Sequence, residues 1–208
     1  MEIVGKPGEK TRFGCREIHT RDADLGESER ARPFPHLRER QRTWTLSTVE
    51  HHAPIVGTAT QTLSWQGEED TRAFAERLAG HAAIADAFVA LHGELGAGKT
   101  TLVRHLLRAL GAQGRIKSPT YALVEPYELP ALAAWHFDFY RFDDPKEWED
   151  AGLRDLFAST GLKIAEWPDK AAGLLPVPDL EVRIAVDADD HRQVRLQAHT
   201  ARGRELLA

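Results

Sequence analysis

Apolar residues follow two rhythms along this chain, and the switches between them mark its elements. "AFVALH" (Ala87 to His92) is a short unbroken apolar run bounded by turn signals, the pattern of a strand covered on both faces. Just beyond it, Val103, Leu106, Leu107 and Leu110 recur at helical spacing and Gly111 follows, which predicts an amphipathic helix from Lys99 to Leu110. Upstream, Glu68, Glu69 and Asp70 crowd a first turn, where the helix dipole favours negative charge. Phe74, Leu78 and Ile84 offer core contacts, so a helix from about Glu68 to Ala79 is expected. Farther along, Tyr121 to Tyr127 and Ala133 to Phe142 flank a turn containing Pro130 and predict a hairpin. "DPKEWEDAGLRDLFAS" reads as one or two short helices. Leu162 to Trp167 is a further apolar strand, and "LEVRIAV" with "RQVRLQAH" alternates as an antiparallel pair around "DADDHR".

The first 58 residues keep neither rhythm. They are dense in Arg and Glu with nearly balanced charges, and bury too little to offset their ordering entropy. A disordered extension is expected over 1–58 and a folded domain over 59–208. A basic arm for RNA is weakened by the charge balance, and a later start at Val49 or Val56 would also leave a compact domain.

Composition narrows the class. With 208 residues, 42% hydrophobic and 28% charged, the chain has the make-up of one globular domain with a tail. A net charge of −5 removes the simplest case for wrapping nucleic acid. No apolar run is long enough to span a bilayer, no secretory pattern opens the chain, and Cys15 is its one cysteine; no membrane association and a cytoplasmic location are expected.

Between the buried strand and its helix stands "GELGAGKTT": Gly93, Glu94, Leu95, Gly96, Ala97, Gly98, Lys99, Thr100 and Thr101. The residues fit G-x-x-x-x-G-K-[ST]. In such a loop successive backbone N–H groups curl around a polyphosphate, which side chains would obstruct, and the helix N-terminus adds its own unpaired N–H groups. Lys99 would neutralise the terminal phosphates and the Thr100 hydroxyl would sit on Mg²⁺. The fold class expected from motif and pattern together is α/β, a P-loop NTPase-like mixed β-sheet flanked by helices.

Hydrolysis also needs a strand-end acid for the metal and a group that places water. Glu166 ends "LKIAE". Asp138 lies in "HFDFY", where period 2 puts His136, Asp138 and Tyr140 on one face and Trp135, Phe137 and Phe139 on the other. Spacing leaves open which acid does which, and a structural ion pair of Asp138 with Arg141 or Arg154 is the competing role. The chain holds no asparagine, so the N-K-x-D guanine reader is absent and ATP is favoured over GTP.

"GELGAGKTT", "KSPTYALVEPY", "HFDFYR" and "AEWPD", in this order, closely resemble the TsaE family, the bacterial P-loop ATPases of tRNA threonylcarbamoyladenosine biosynthesis. The resemblance spans about residues 62–200. It implies that Thr100 and Glu166 hold Mg²⁺, that Asp138 is the acid of hydrolysis, and that Ser118, Pro119 and Thr120 form a nucleotide-sensing loop; the competing role for that loop is a tight turn before a strand. It places Glu68, Thr71, Thr120, Trp167 and Arg192 at the nucleotide; for Trp167, beside the metal ligand, core or partner surface are the competing roles. It also implies an ATPase that does not itself transfer the carbamoyl group but acts on the TsaD and TsaB proteins, with tRNA bound by that assembly. With no evident arginine finger to compensate transition-state charge, hydrolysis is expected to be weak alone and faster when docked on those partners. A nucleotide-gated binding module that needs no hydrolysis is the second reading. A small-molecule kinase is the third, disfavoured because its only lid candidate, "RFDDPKEWED", is acidic.

Overall fold

The computed structural model describes residues 59–208; the extension expected over 1–58 lies outside the described residues. Within them run β1 (Ala59–Trp65), α1 (Glu68–Ala79), β2 (Phe88–His92), α2 (Lys99–Ala109), β3 (Val124–Glu128), β4 (Ala133–Asp138), α3 (Pro145–Asp150), α4 (Leu153–Ala158), β5 (Leu162–Glu166), β6 (Leu180–Val186), β7 (Arg192–Ala198) and α5 (Ala201–Leu207). Short 3-10 turns, Ala82–Asp86 and Pro168–Ala171, precede β2 and follow β5. No helix among these residues is long and apolar enough to cross a membrane.

The seven strands form one mixed sheet in the order β1-β7-β6-β2-β5-β4-β3. Its centre is parallel: β2 lies between β6 and β5, and β4 adds to β5 in the same direction. The flanking pairs β1/β7, β6/β7 and β3/β4 are antiparallel. Parallel strands end on the same edge, so β2, β5 and β4 deliver their C-terminal residues to one rim, where open α/β sheets bind ligands.

Both sheet faces are covered, which is why β2 and β5 read as continuous apolar runs. On one face Val89, Leu91, Ile164 and Val182 pack with Phe74 and Leu78 of α1 and Val103, Leu106 and Leu107 of α2. On the other, Phe88, Ala90, Phe137, Phe139 and Ala165 pack with Trp148 and Leu153 from α3 and α4. Phe157 stacks on Phe137 at 4.6 Å and meets Phe88 edge-on at 5.1 Å. A fully buried ring such as Phe137 contributes about 1.5–3 kcal/mol.

The expected hairpin is shorter than its sequence pattern. Ala122 N and Leu123 N both donate to Pro119 O, at 2.9 and 2.8 Å, and Leu123 has φ +63°, so residues 119–123 turn and β3 begins only at Val124. At the far end Phe142 N donates to Phe139 O at 3.0 Å, a second turn that stops β4 at Asp138. Two elements carried no clear signal. In β1 the inward positions are Ala59, Gln61, Leu63 and Trp65, too mixed to read as a period-2 face, and α5 is two turns long and begins at an N-cap, Thr200, whose hydroxyl accepts from Gly203 N at 3.1 Å.

Candidate functional site

β2 ends at His92 and the chain turns through Gly93 with φ +144°. A Cβ at Gly93 would collide with the carbonyl oxygen of Ile184 in the neighbouring β6, so this glycine answers to sheet packing. Gly96 and Gly98 differ: their φ values are +83° and +110°, and a Cβ at either would point into open space. Lys99, first residue of α2 and 4% exposed, folds its ammonium back to donate to Gly93 O at 2.6 Å and Glu94 O at 2.9 Å, 4.0 Å from the centre of the Trp167 ring. Burial pushes this ammonium below the ordinary lysine pKa, against the opposing pull of Glu166, Asp138 and Glu94.

A cavity of about 350 Å³ opens above the loop, lined among others by Lys99, Thr100, Asp138, Glu166 and Trp167. Register explains the meeting: Glu166 is paired with Leu91 of β2 on one side and with Asp138 of β4 on the other. Thr100 Oγ1 donates to both Glu166 oxygens, at 2.8 and 3.0 Å. Behind them His136 Nε2 lies 2.9 Å from Glu166 Oε1. A carboxylate only accepts, so this ring carries its proton on Nε2. Asp138, 3% exposed, accepts from Thr120 Oγ1 at 2.7 Å, from Ser118 Oγ, and from Tyr140 N at 2.9 Å. Hydrogen bonds from these neutral donors satisfy it, and among the described residues it forms no ion pair with Arg141 or Arg154. The Ser118 to Thr120 segment leads into the turn before β3, as the structural reading expects, and its two hydroxyls donate to that acid.

A second cavity of about 260 Å³ adjoins the first through Gly96, Gly98 and Thr101, and gathers Glu68, Thr71, Ala97 and Arg192. Arg192 reaches it because β7 starts at the rim where β1 ends, Trp65 being paired with Arg192. Glu68 Oε1 lies 2.8 Å from His105 Nε2 of α2. Of the expected phosphate-loop residues, Leu95 lines the first cavity, while Gly93 and Glu94 face a separate cleft with His92 and Asp169 and touch the site only through the carbonyls that take Lys99. Trp167 is half-buried with φ +56° and belongs to the cavity wall, 5.1 Å from the Tyr140 ring. Sequence reasoning gave no site role to His136, Arg141 or Tyr121. Period 2 already puts His136 beside Asp138, a usable signal, whereas nothing in the pattern marks Arg141 as a lining residue.

Residues 65–194 match the family model described as "Threonylcarbamoyl adenosine biosynthesis protein TsaE". The chain belongs to the TsaE family. It is 45% identical over 120 residues to the tRNA threonylcarbamoyladenosine biosynthesis protein TsaE of Haemophilus influenzae, an alignment covering 58% of this chain and 75% of that one. With the TsaE protein of Bacillus subtilis it shares 34% identity over 138 residues, 65% of this chain and 85% of the other. The crystal structure of YdiB from Bacillus subtilis superposes with a TM-score of 0.61 at 26% identity, covering 73% of this chain and 93% of that one. A TsaE chain on a P-loop NTPase-like fold points to nucleotide binding, and family membership puts it in tRNA threonylcarbamoyladenosine biosynthesis.

Proposed function

We propose that the chain binds Mg·ATP across the two joined cavities and hydrolyses it, and that this turnover resets the TsaD–TsaB assembly in the cytoplasm so that threonylcarbamoyladenosine forms on successive tRNAs. The observation that carries the reading is the register of three parallel strand ends, which sets Asp138 and Glu166 side by side facing Lys99 and Thr100. The residues fit the implied groups. Gly96 and Gly98 leave the cradle open, Lys99 brings the ammonium, and Thr100 and Glu166 are oxygen donors already in contact, as a hard divalent cation requires. Mg²⁺, when bound, supplies positive charge to the phosphate oxygens.

The remaining work falls to this chain's side chains. Lys99 exchanges its two carbonyl partners for phosphate oxygens, a charge-assisted replacement in a poorly hydrated place. His136 donates to Glu166 and fixes the orientation of that carboxylate. Asp138, held by three donors, is oriented to accept a hydrogen bond from the attacking water. Glu68, Thr71 and Arg192 would bind the nucleoside end in the adjoining cavity.

Asp138→Asn tests the reading in a reaction reconstituted from this chain, TsaD, TsaB, ATP and unmodified tRNA. The variant should hold ATP within about threefold of wild type and lose about 100-fold in hydrolysis. Modification should then stop after about one cycle. Continued modification over many cycles would instead establish the binding module that needs no hydrolysis.

A further inference from the structure

Phosphoryl transfer spreads negative charge over the equatorial oxygens of the group in transit, and a site that speeds it sets cations against them. Two carboxylates, Asp138 and Glu166, line the 350 Å³ cavity, and they work against that charge. Lys99 is one compensating cation. Among the described residues lining the cavity the other is Arg141.

The setting of Arg141 is that of a fixed base with a free arm. Its backbone lies in the turn after β4, between Phe139 and Phe142, both buried in the core under α3 and α4. Phe139 N donates to Glu166 O at 3.1 Å, and Tyr140 N holds Asp138 at 2.9 Å, so the turn is tied to both acids of the site. The side chain itself is exposed. Among the described residues it has no ion-pair partner, and its guanidinium lies 4.4 Å from the centre of the Tyr121 ring. That ring belongs to a residue 84% exposed, on the turn whose Ser118 and Thr120 sit on Asp138. A guanidinium on an exposed ring is weakly held, while bidentate bonds to a phosphate are among the strongest polar contacts it can make.

We propose that Arg141 is a catalytic arginine supplied by the chain itself, resting on Tyr121 and moving to donate to the terminal phosphoryl oxygens of ATP in the cavity. It moves no proton; its role is to meet charge that grows as the bond to the leaving diphosphate breaks. The proposal rests on the ATPase reading above, and its corollary is that a partner that shifts the 119–123 turn also shifts the resting place of Arg141.

The test is calorimetric titration of the full chain with Mg·ADP, alone and with aluminium fluoride as a mimic of the group in transit, on wild type, Arg141→Ala, Arg141→Lys and Lys99→Ala. Arg141→Ala should leave Mg·ADP affinity within about twofold and weaken the fluoride complex at least ~30-fold, with hydrolysis falling by a factor of ~100 or more. Arg141→Lys should recover only part, since an ammonium lacks the two-pronged geometry. Because the side chain is exposed, thermal melting should be unchanged. An unaltered fluoride complex in Arg141→Ala, or no tightening by fluoride in wild type, overturns the proposal. If wild type fails to bind Mg·ADP, or Lys99→Ala binds it equally well, it is the ATPase reading itself that falls.

Discussion

Lys163 shows how far a single charge can sit from its comfort. Its side chain is buried on the α3/α4 face, donates to Ser159 O, lies 3.8 Å from Asp86 and has the Trp135 ring 5.4 Å away. Burial, only partly offset by Asp86, holds its pKa below the ordinary 10.5. The folded state therefore binds this proton less tightly than the unfolded state, and the ammonium is a stability cost at every pH below the depressed value. That cost fades as pH rises through it towards 10.5. Because that cost fades with rising pH in the wild type alone, the stability difference between wild type and Lys163→Met should shift in favour of wild type from pH 7 to pH 10, as read by denaturant melts at both pH values. At this scale the sequence already displayed the residues whose chemistry is tied to a motif: Lys99, Thr100 and Glu166 could be named from a phosphate loop and a strand end. Period 2 set His136 beside Asp138, but only the β4/β5 register brings it to Glu166, and Arg141 carried no signal because a side-chain direction at a turn joins it to the site.

Among elements, the junction of β2 and α2 separates two uses of glycine that a motif merges. Gly93→Ala puts a methyl against Ile184 O at φ +144°, adding backbone strain to overpacking, and should destabilise the fold by about 3 kcal/mol or more. Gly96→Ala meets only open space at φ +83°, so it should cost about 1–2 kcal/mol of stability while its methyl fills the cradle and lowers ATP affinity about tenfold. Paired melting curves and nucleotide titrations of the two variants separate these effects. Elements with a strong period were legible to within a residue or two, α1 and α2 above all, since both present a full apolar stripe to the sheet. β1 was not, because an edge strand covered on one face needs few apolar residues, and the hairpin limits were misplaced because apolar character continues into turns at Leu123 and Phe139 that only backbone hydrogen bonding ends.

For the molecule as a whole, function follows from strand direction. Three parallel strands, β2, β5 and β4, bring a loop, two acids and a hydroxyl to one rim from segments up to 73 residues apart, Gly93 to Glu166, and the returning β7 adds Arg192 there. The helices hold that arrangement by covering both faces of the sheet. Titration of Mg·ATP into wild type and Lys99→Ala, followed by calorimetry, tests the central claim most directly. The account predicts saturable one-site binding by wild type and a loss of about 100-fold in the variant, the ~2–3 kcal/mol of a buried charge-assisted contact. Equal affinity in the two proteins would contradict it.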